Sequence, residues 1–127
     1  MRTPRGSDGD LVIRTAHGRE VTTELAGTYL RRLRGMLGRR HLPDALLLRP
    51  GNSVHGMGML VALDVAQLVP GPDDGSYRVL RTCLLRPAGL VGARRGVVAV
   101  LEAPRGSFGR WGLAAGDVLH VDQAAAR

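Results

Sequence analysis

The sequence predicts a mainly β (α+β) domain: a compact β-sandwich or small barrel of short, mostly antiparallel strands with one amphipathic helix. Short aliphatic and β-branched runs recur along the chain, separated by Gly, Pro, Asp and Ser turn signals. Only one segment changes from a period near two to a period near 3.6. There is no alternation of strands with long helical segments, which a parallel α/β fold would show.

The strand pattern also predicts how the chain reverses. The β-like segments span residues 11–16, 20–26, 45–50, 59–69, 77–85, 97–104 and 117–121. Gly18 separates the first two, which is a hairpin signal. The turn sequence GPDDGS, residues 71–76, predicts that 60–69 and 77–85 form a second antiparallel hairpin. Residues 86–96 are predicted as loop, and the glycine-rich stretch 109–117 as a connection.

The predicted helix covers residues 28–38. Leu30, Leu33 and Leu37 recur at intervals of three and four residues, so they lie on one face. Thr28 is a suitable N-cap, and Gly38 is a suitable C-terminal stop. Leucine packing against the core is the expected role of this helix.

Length and composition indicate one domain. The 127 residues are enough for a single core, and we expect a disordered tail at 1–9, a domain at 10–122 and a frayed C-terminus at 123–127. No apolar run approaches the roughly 18 residues that span a bilayer, and the N-terminus lacks the apolar core of a secretory signal. We therefore expect a cytoplasmic protein that does not bind membranes. The single cysteine, Cys83, excludes an internal disulfide and is interpreted as a buried structural thiol.

The charge is strongly basic, and every basic residue is arginine. The net charge is +7, and arginine binds phosphates and carboxylates in bidentate fashion. The arginines are scattered, however, and aromatics make up only 3% of the chain. Nucleic-acid-binding proteins concentrate their basic residues in one stripe, and those that bind single strands also stack aromatic side chains on the bases. We therefore interpret the arginine excess as compositional and do not expect nucleic-acid binding.

Four motifs in order resemble the DUF192 (UPF0127) family of small bacterial and archaeal proteins. They are RLRGMLGR on the helix, SVHGMGM followed by LDV, then VLEAPRG, and finally GLAAGD. The resemblance covers roughly residues 12–121 and implies a mainly β domain with one prominent helix. It implies no defined activity. The sequence departs from the family pattern where the family commonly has bulkier or different residues, at Gly51, Asn52, Gly56, Met57, Leu60, Val61, Ala62 and Gln67.

The candidate site centres on the stretch from Asn52 to Val65. His55 precedes a glycine-rich segment, where backbone can approach a ligand closely. Asp64 lies inside an apolar strand, so its carboxylate needs a partner, for which Arg32 or Arg34 is suitable. Methionine can line an adaptable surface. The candidate ligand-binding residues are His55, Met57, Met59, Asp64, Glu102, Arg32 and Arg34.

Two functional hypotheses follow from these residues. The first is a non-catalytic binding or assembly module with a shallow site near His55 for a small ligand, an anion or a protein segment. The second is an enzyme that uses His55 as acid/base with Asp64 or Glu102 as its orienting group. No HxH or HExxH spacing is present, so we expect neither a metal nor another cofactor. Two alternatives assign these residues no role in binding or catalysis. Asp64 is then a structural hydrogen-bonding group, and the Gly-Met-Gly-Met segment is a β-bulge.

Overall fold

The computed structural model describes residues 10–26, 44–57 and 59–123. The elements are β1 Asp10–Arg14, β2 Glu20–Ala26, β3 Ala45–Leu48, β4 Val54–His55, β5 Leu63–Pro70, β6 Ser76–Leu85, β7 Leu90–Val91, β8 Ala99–Pro104, α1 Ser107–Trp111 and β9 Val118–Gln123. The predicted tail at 1–9, the predicted helix at 28–38 and residues 124–127 lie outside the described residues. The last residue of β9, Gln123, belongs to the segment predicted as frayed.

Seven strands form a closed barrel in the order β1-β2-β3-β8-β5-β6-β9. β4 and β7 pair separately as a two-stranded ribbon. Among the described strand pairs, only β2 and β3 run parallel. The prediction of a mainly β fold with short, mostly antiparallel strands is confirmed, and of its two architectures the barrel is the one observed.

Both predicted hairpins are present. The first pairs β1 with β2 around Gly18, which has a φ of 85°. The second pairs β5 with β6, and the amide of Gly71 donates to the carbonyl of Ser76 at 3.0 Å across the turn. The Ser76 hydroxyl donates to the carbonyl of Asp73 at 2.7 Å, which fixes the turn from inside. The turn residues therefore determine where the chain reverses direction in both hairpins.

Three strands are buried on both faces, which explains their continuous apolar sequences. β3, β5 and β8 lie side by side in the barrel. One face, represented by Leu47, Ala66 and Leu101, points into the barrel core. The other face includes Leu48, Val65 and Val100, and packs under Val54 and Val91 of the β4–β7 ribbon. The ribbon is thus a second layer on the outside of the barrel.

Helix α1 contributes to the barrel core. Phe108, Trp111 and Leu113 are buried with the interior cluster, and the ring centroids of Phe108 and Trp111 are 5.7 Å apart. We interpreted 109–117 as a plain connection, but part of it is helical and it supplies core residues. The spacing of three between Phe108 and Trp111 is the sequence signal for this turn of helix. No helix in the described part of the chain is both long and apolar enough to cross a membrane.

Candidate binding cleft

Asp64 caps helix α1 from a distant strand. Its Oδ2 accepts a hydrogen bond from the amide of Phe108 at 2.9 Å. Phe108 lies in the first turn of α1, where amides have no partner within the helix. The cap residue Gly106 has no side chain to supply one. Asp64 is therefore paired as expected, although its partner is a backbone amide. The suggested arginine partners, Arg32 and Arg34, lie outside the described residues.

This contact predicts a moderate loss of stability for Asp64→Ala. Loss of a capping acceptor costs about 1–2 kcal/mol, whereas Asp64→Asn keeps an oxygen acceptor and should cost less than half as much. Urea denaturation of the three proteins measures the difference. An alanine variant as stable as the parent would show that the contact contributes nothing.

The barrel register separates Asp64 from Glu102. In antiparallel pairs, directly opposed side chains share a face, and successive residues alternate faces. Asp64 is opposite Ala103, whereas Glu102 is opposite Val65. The two carboxylates therefore project from opposite faces of the sheet. Glu102 is completely buried on the outer face, where it is also opposite Leu46 of β3.

The residues around His55 have different environments. His55 lies on the β4–β7 ribbon opposite Leu90 and is half-buried. Its Nδ1 accepts a hydrogen bond from the amide of Met57 at 3.3 Å. Met57 is 59% exposed, whereas Met59 is buried and packs with Leu46 and Leu63. Met59 therefore belongs to the core. A ligand site at His55 remains a prediction.

An open cleft of about 510 Å³ lies between the end of β6 and helix α1. Of the predicted site residues that the structure describes, Asp64 alone lines this cleft. The described residues that line it are Asp64, Thr82, Cys83, Leu84, Arg105, Gly106, Phe108, Gly109 and Leu113. β6 forms one wall, and α1 with the residue before its cap forms the other. The Asp64 contact to Phe108 holds α1 against β5, the strand that pairs with β6.

Two lining residues differ from what the sequence suggested. The sequence predicts a buried Cys83, but the residue is half-buried and packs against the cluster under the ribbon. Arg105 was not singled out at all. It is exposed at the cleft, and its side chain forms no hydrogen bond or ion pair with the described residues. The only sequence signal for it is a charged residue directly after a buried strand.

The described residues include no cluster of three or more His, Cys, Asp or Glu side chains arranged to hold a metal ion. Among the described lining residues, Asp64 is the one carboxylate, and the thiol of Cys83 projects from the other face of the sheet, because Cys83 is opposite Val65. A structural zinc site needs four such ligands, and a catalytic site usually needs three. The chemistry that this lining offers is recognition by a guanidinium, a hydroxyl, backbone groups and apolar surface.

The fold defines a class of small closed barrels with an external two-stranded ribbon and a short helix at the cleft. The chain matches the family model DUF192, described as Uncharacterized ACR, over residues 12–121. The protein therefore belongs to the DUF192 family, as the four motifs indicated.

Two solved structures have a similar fold. One is from Sinorhizobium meliloti 1021 and is titled a "putative transcription regulator". It is 24% identical with a TM-score of 0.65, over 89% of this chain and 92% of that chain. The other, from Novosphingobium aromaticivorans DSM 12444, is a protein of unknown function. It is 19% identical with a TM-score of 0.64, over 87% of this chain and 83% of that chain. A comparison with curated proteins found no match.

Proposed function

We propose that the protein is a non-catalytic binding module whose ligand site is the cleft between β6 and α1. The observation that supports this most directly is the open cleft of about 510 Å³, where Arg105 is exposed without a side-chain partner among the described residues and lies near the half-buried Leu84. Ligand sites of this kind combine an apolar lining with a few polar groups that orient the ligand. Arg105 supplies a cation, Thr82 a hydroxyl, and the half-buried Leu84 apolar surface.

The arrangement of the titratable groups favours binding over catalysis. An acid/base pair with its orienting group requires side chains within hydrogen-bond reach of each other or of one substrate. Asp64 and Glu102 project from opposite faces of the sheet, and His55 does not line the cleft. Asp64 already uses one oxygen to cap α1. Its position therefore suits support of the cleft wall.

The contacts of the described arginines also favour a ligand other than nucleic acid. Several of their side chains are committed to contacts within the protein: Arg14 with Glu20, Arg49 with Tyr77, Arg78 with the carbonyl of Gly116, Arg81 with Gln67 and Arg110 with Ser107. Phosphate-driven binding depends on arginines that are free to neutralise the backbone.

The test is to fill the cleft without disturbing the fold. Gly109 lines the cleft, its φ is not in the left-handed region, and a Cβ there meets no atom within 4 Å. Gly109→Trp should therefore fold normally and occupy the cleft. Gly92 has the same open surroundings but lies outside the cleft, so Gly92→Trp is the matched control.

The probe is a library of small carboxylic acids, amides and dipeptides, screened by amide chemical shifts. We expect compounds that bind to change the chemical shifts of the backbone amides of residues 82–84 and 106–109. Their affinity for Gly109→Trp should be at least tenfold weaker than for the parent protein. Their affinity for Gly92→Trp should equal that for the parent. Equal affinity for both variants would place the ligand elsewhere. Shifts confined to His55 and Met57 would favour the ribbon site instead.

A further inference from the structure

The second half of β6 is an open sheet edge. β6 runs from Ser76 to Leu85, but β9 pairs only with Ser76, Tyr77 and Arg78. Val79 continues the contact, because its amide donates to the carbonyl of Asp117 and its carbonyl accepts from the amide of Gly116, both at 2.8 Å. Beyond Val79, no strand among the described residues pairs with this edge of β6.

The register shows which backbone groups face the open edge. The carbonyl of Leu68 accepts from the amide of Val98 at 2.9 Å, so the backbone groups of Leu68 face β8. Backbone groups alternate sides along a strand, so those of Gln67 and Val65 face β6 and meet Arg81 and Cys83. The amides and carbonyls of the intervening residues, Thr82 and Leu84, therefore point outward. These two residues also line the cleft.

We infer that the cleft binds an extended acidic segment of a partner protein, which adds to the β6 edge as a strand and places a carboxylate against Arg105. This inference rests on the proposed function and names its ligand class. Strand addition gains affinity from backbone hydrogen bonds and specificity from alternate side chains. Thr82 and Leu84 supply the backbone groups, and the half-buried side chain of Leu84 supplies apolar surface for side chains on one face of the added strand.

The charge around the cleft indicates that the bound segment is acidic. Arg105 lies at the cleft, and Arg86 follows directly after the last residue of β6; both are exposed. Asp64, the one carboxylate among the described lining residues, already accepts a hydrogen bond from Phe108. A second copy of this chain is poorly suited to bind at the β6 edge. Antiparallel pairing of two such edges brings Arg81 and Arg86 of one copy close to the same arginines of the other. Like charges at such an edge oppose self-association.

The probe is a phage-displayed library of random linear dodecapeptides selected on the 127-residue chain. We expect the selected peptides to be enriched in Asp and Glu. Their affinity for Arg105→Glu should be at least tenfold weaker than for the parent protein. A peptide in which the acidic residue is replaced by Lys should regain affinity for that variant. The strongest selected peptide is then synthesised with single backbone N-methyl groups. Each methyl removes one amide donor, so we expect losses of about tenfold at every second residue and little change at the residues between.

Different results overturn different claims. A peptide that Gly109→Trp blocks, but that tolerates every N-methyl group, would overturn strand addition and leave the cleft as the ligand site. A peptide unaffected by both Gly109→Trp and Arg105→Glu would overturn the inference together with the proposed function. Analytical ultracentrifugation could instead show a concentration-dependent dimer that Thr82→Pro abolishes. That result would show that a second copy of the chain binds this edge, and it would overturn the inference of an acidic partner.

Discussion

Gly56→Ala is expected to destabilise the protein by roughly 3 kcal/mol, at the upper end of the cost of forcing extra atoms into a packed site. A Cβ at Gly56 would overlap the carbonyl oxygen of Arg86, and a backbone atom cannot swing aside as a flexible side chain can. The same residue extends the ribbon ladder. Its amide donates to the carbonyl of Gly89, and its carbonyl accepts from the amide of Ala88, each at 2.8 Å.

Gly92→Ala is the control for this prediction, because a Cβ at Gly92 meets no atom within 4 Å. It should change stability by no more than about 0.5 kcal/mol, as most substitutions away from special features do. Urea denaturation of both variants gives the comparison. Equal stability of the two would show that the ribbon adjusts freely around Gly56.

Gln67→Leu is expected to cost about 3 kcal/mol and to loosen the ribbon from the barrel. The Gln67 side chain is completely buried, and its Nε2 donates to the carbonyls of Asn52 at 2.7 Å and Gly92 at 2.8 Å. Its Oε1 accepts from Nε of Arg81 at 2.6 Å. Leucine fills similar space but leaves these groups without their partner, at about 1–3 kcal/mol for each one that stays buried.

Hydrogen exchange distinguishes local loosening from a general loss of stability. Asn52 and Gly92 flank β4 and β7, so we expect faster exchange at the ribbon amides of Gly56 and Ala88 than at the barrel amides of β5. The control is Arg81→Met, which removes one of the three hydrogen bonds and should cost about 1 kcal/mol. If Gln67→Leu accelerates exchange equally in ribbon and barrel, the side chain does not serve as a specific link.

The glycines of the stretch from Asn52 to Val65 were predicted to give a ligand access to backbone. At Gly56 the close neighbour is the protein's own backbone, at Arg86 and Ala88. Gln67, which the sequence marks only as a departure from the family pattern, links the ribbon to the barrel. In both cases the partner lies 15 or more residues away in sequence, and nothing local to either residue specifies it.

The sequence by itself determined the elements that depend on neighbouring residues. Turn residues at Gly18 and at 71–76 specified two hairpins. The apolar run at Ala45–Leu48 specified a buried strand, and the four ordered motifs specified the family. The turn and strand signals each lie within about ten residues, where side-chain period and backbone preference act directly.

Only the tertiary structure decided the closure of the barrel and the position of the cleft. The parallel pairing of β2 with β3 and the placement of β9 between β6 and β1 join residues that are far apart in the chain. The pairing of β5 with β8 sets the register that separates Asp64 from Glu102. The short pairing of β9 with β6 leaves Thr82 and Leu84 at an open edge beside Arg105. Such contacts depend on how sheet faces bury apolar area together, and no short stretch of sequence encodes that choice.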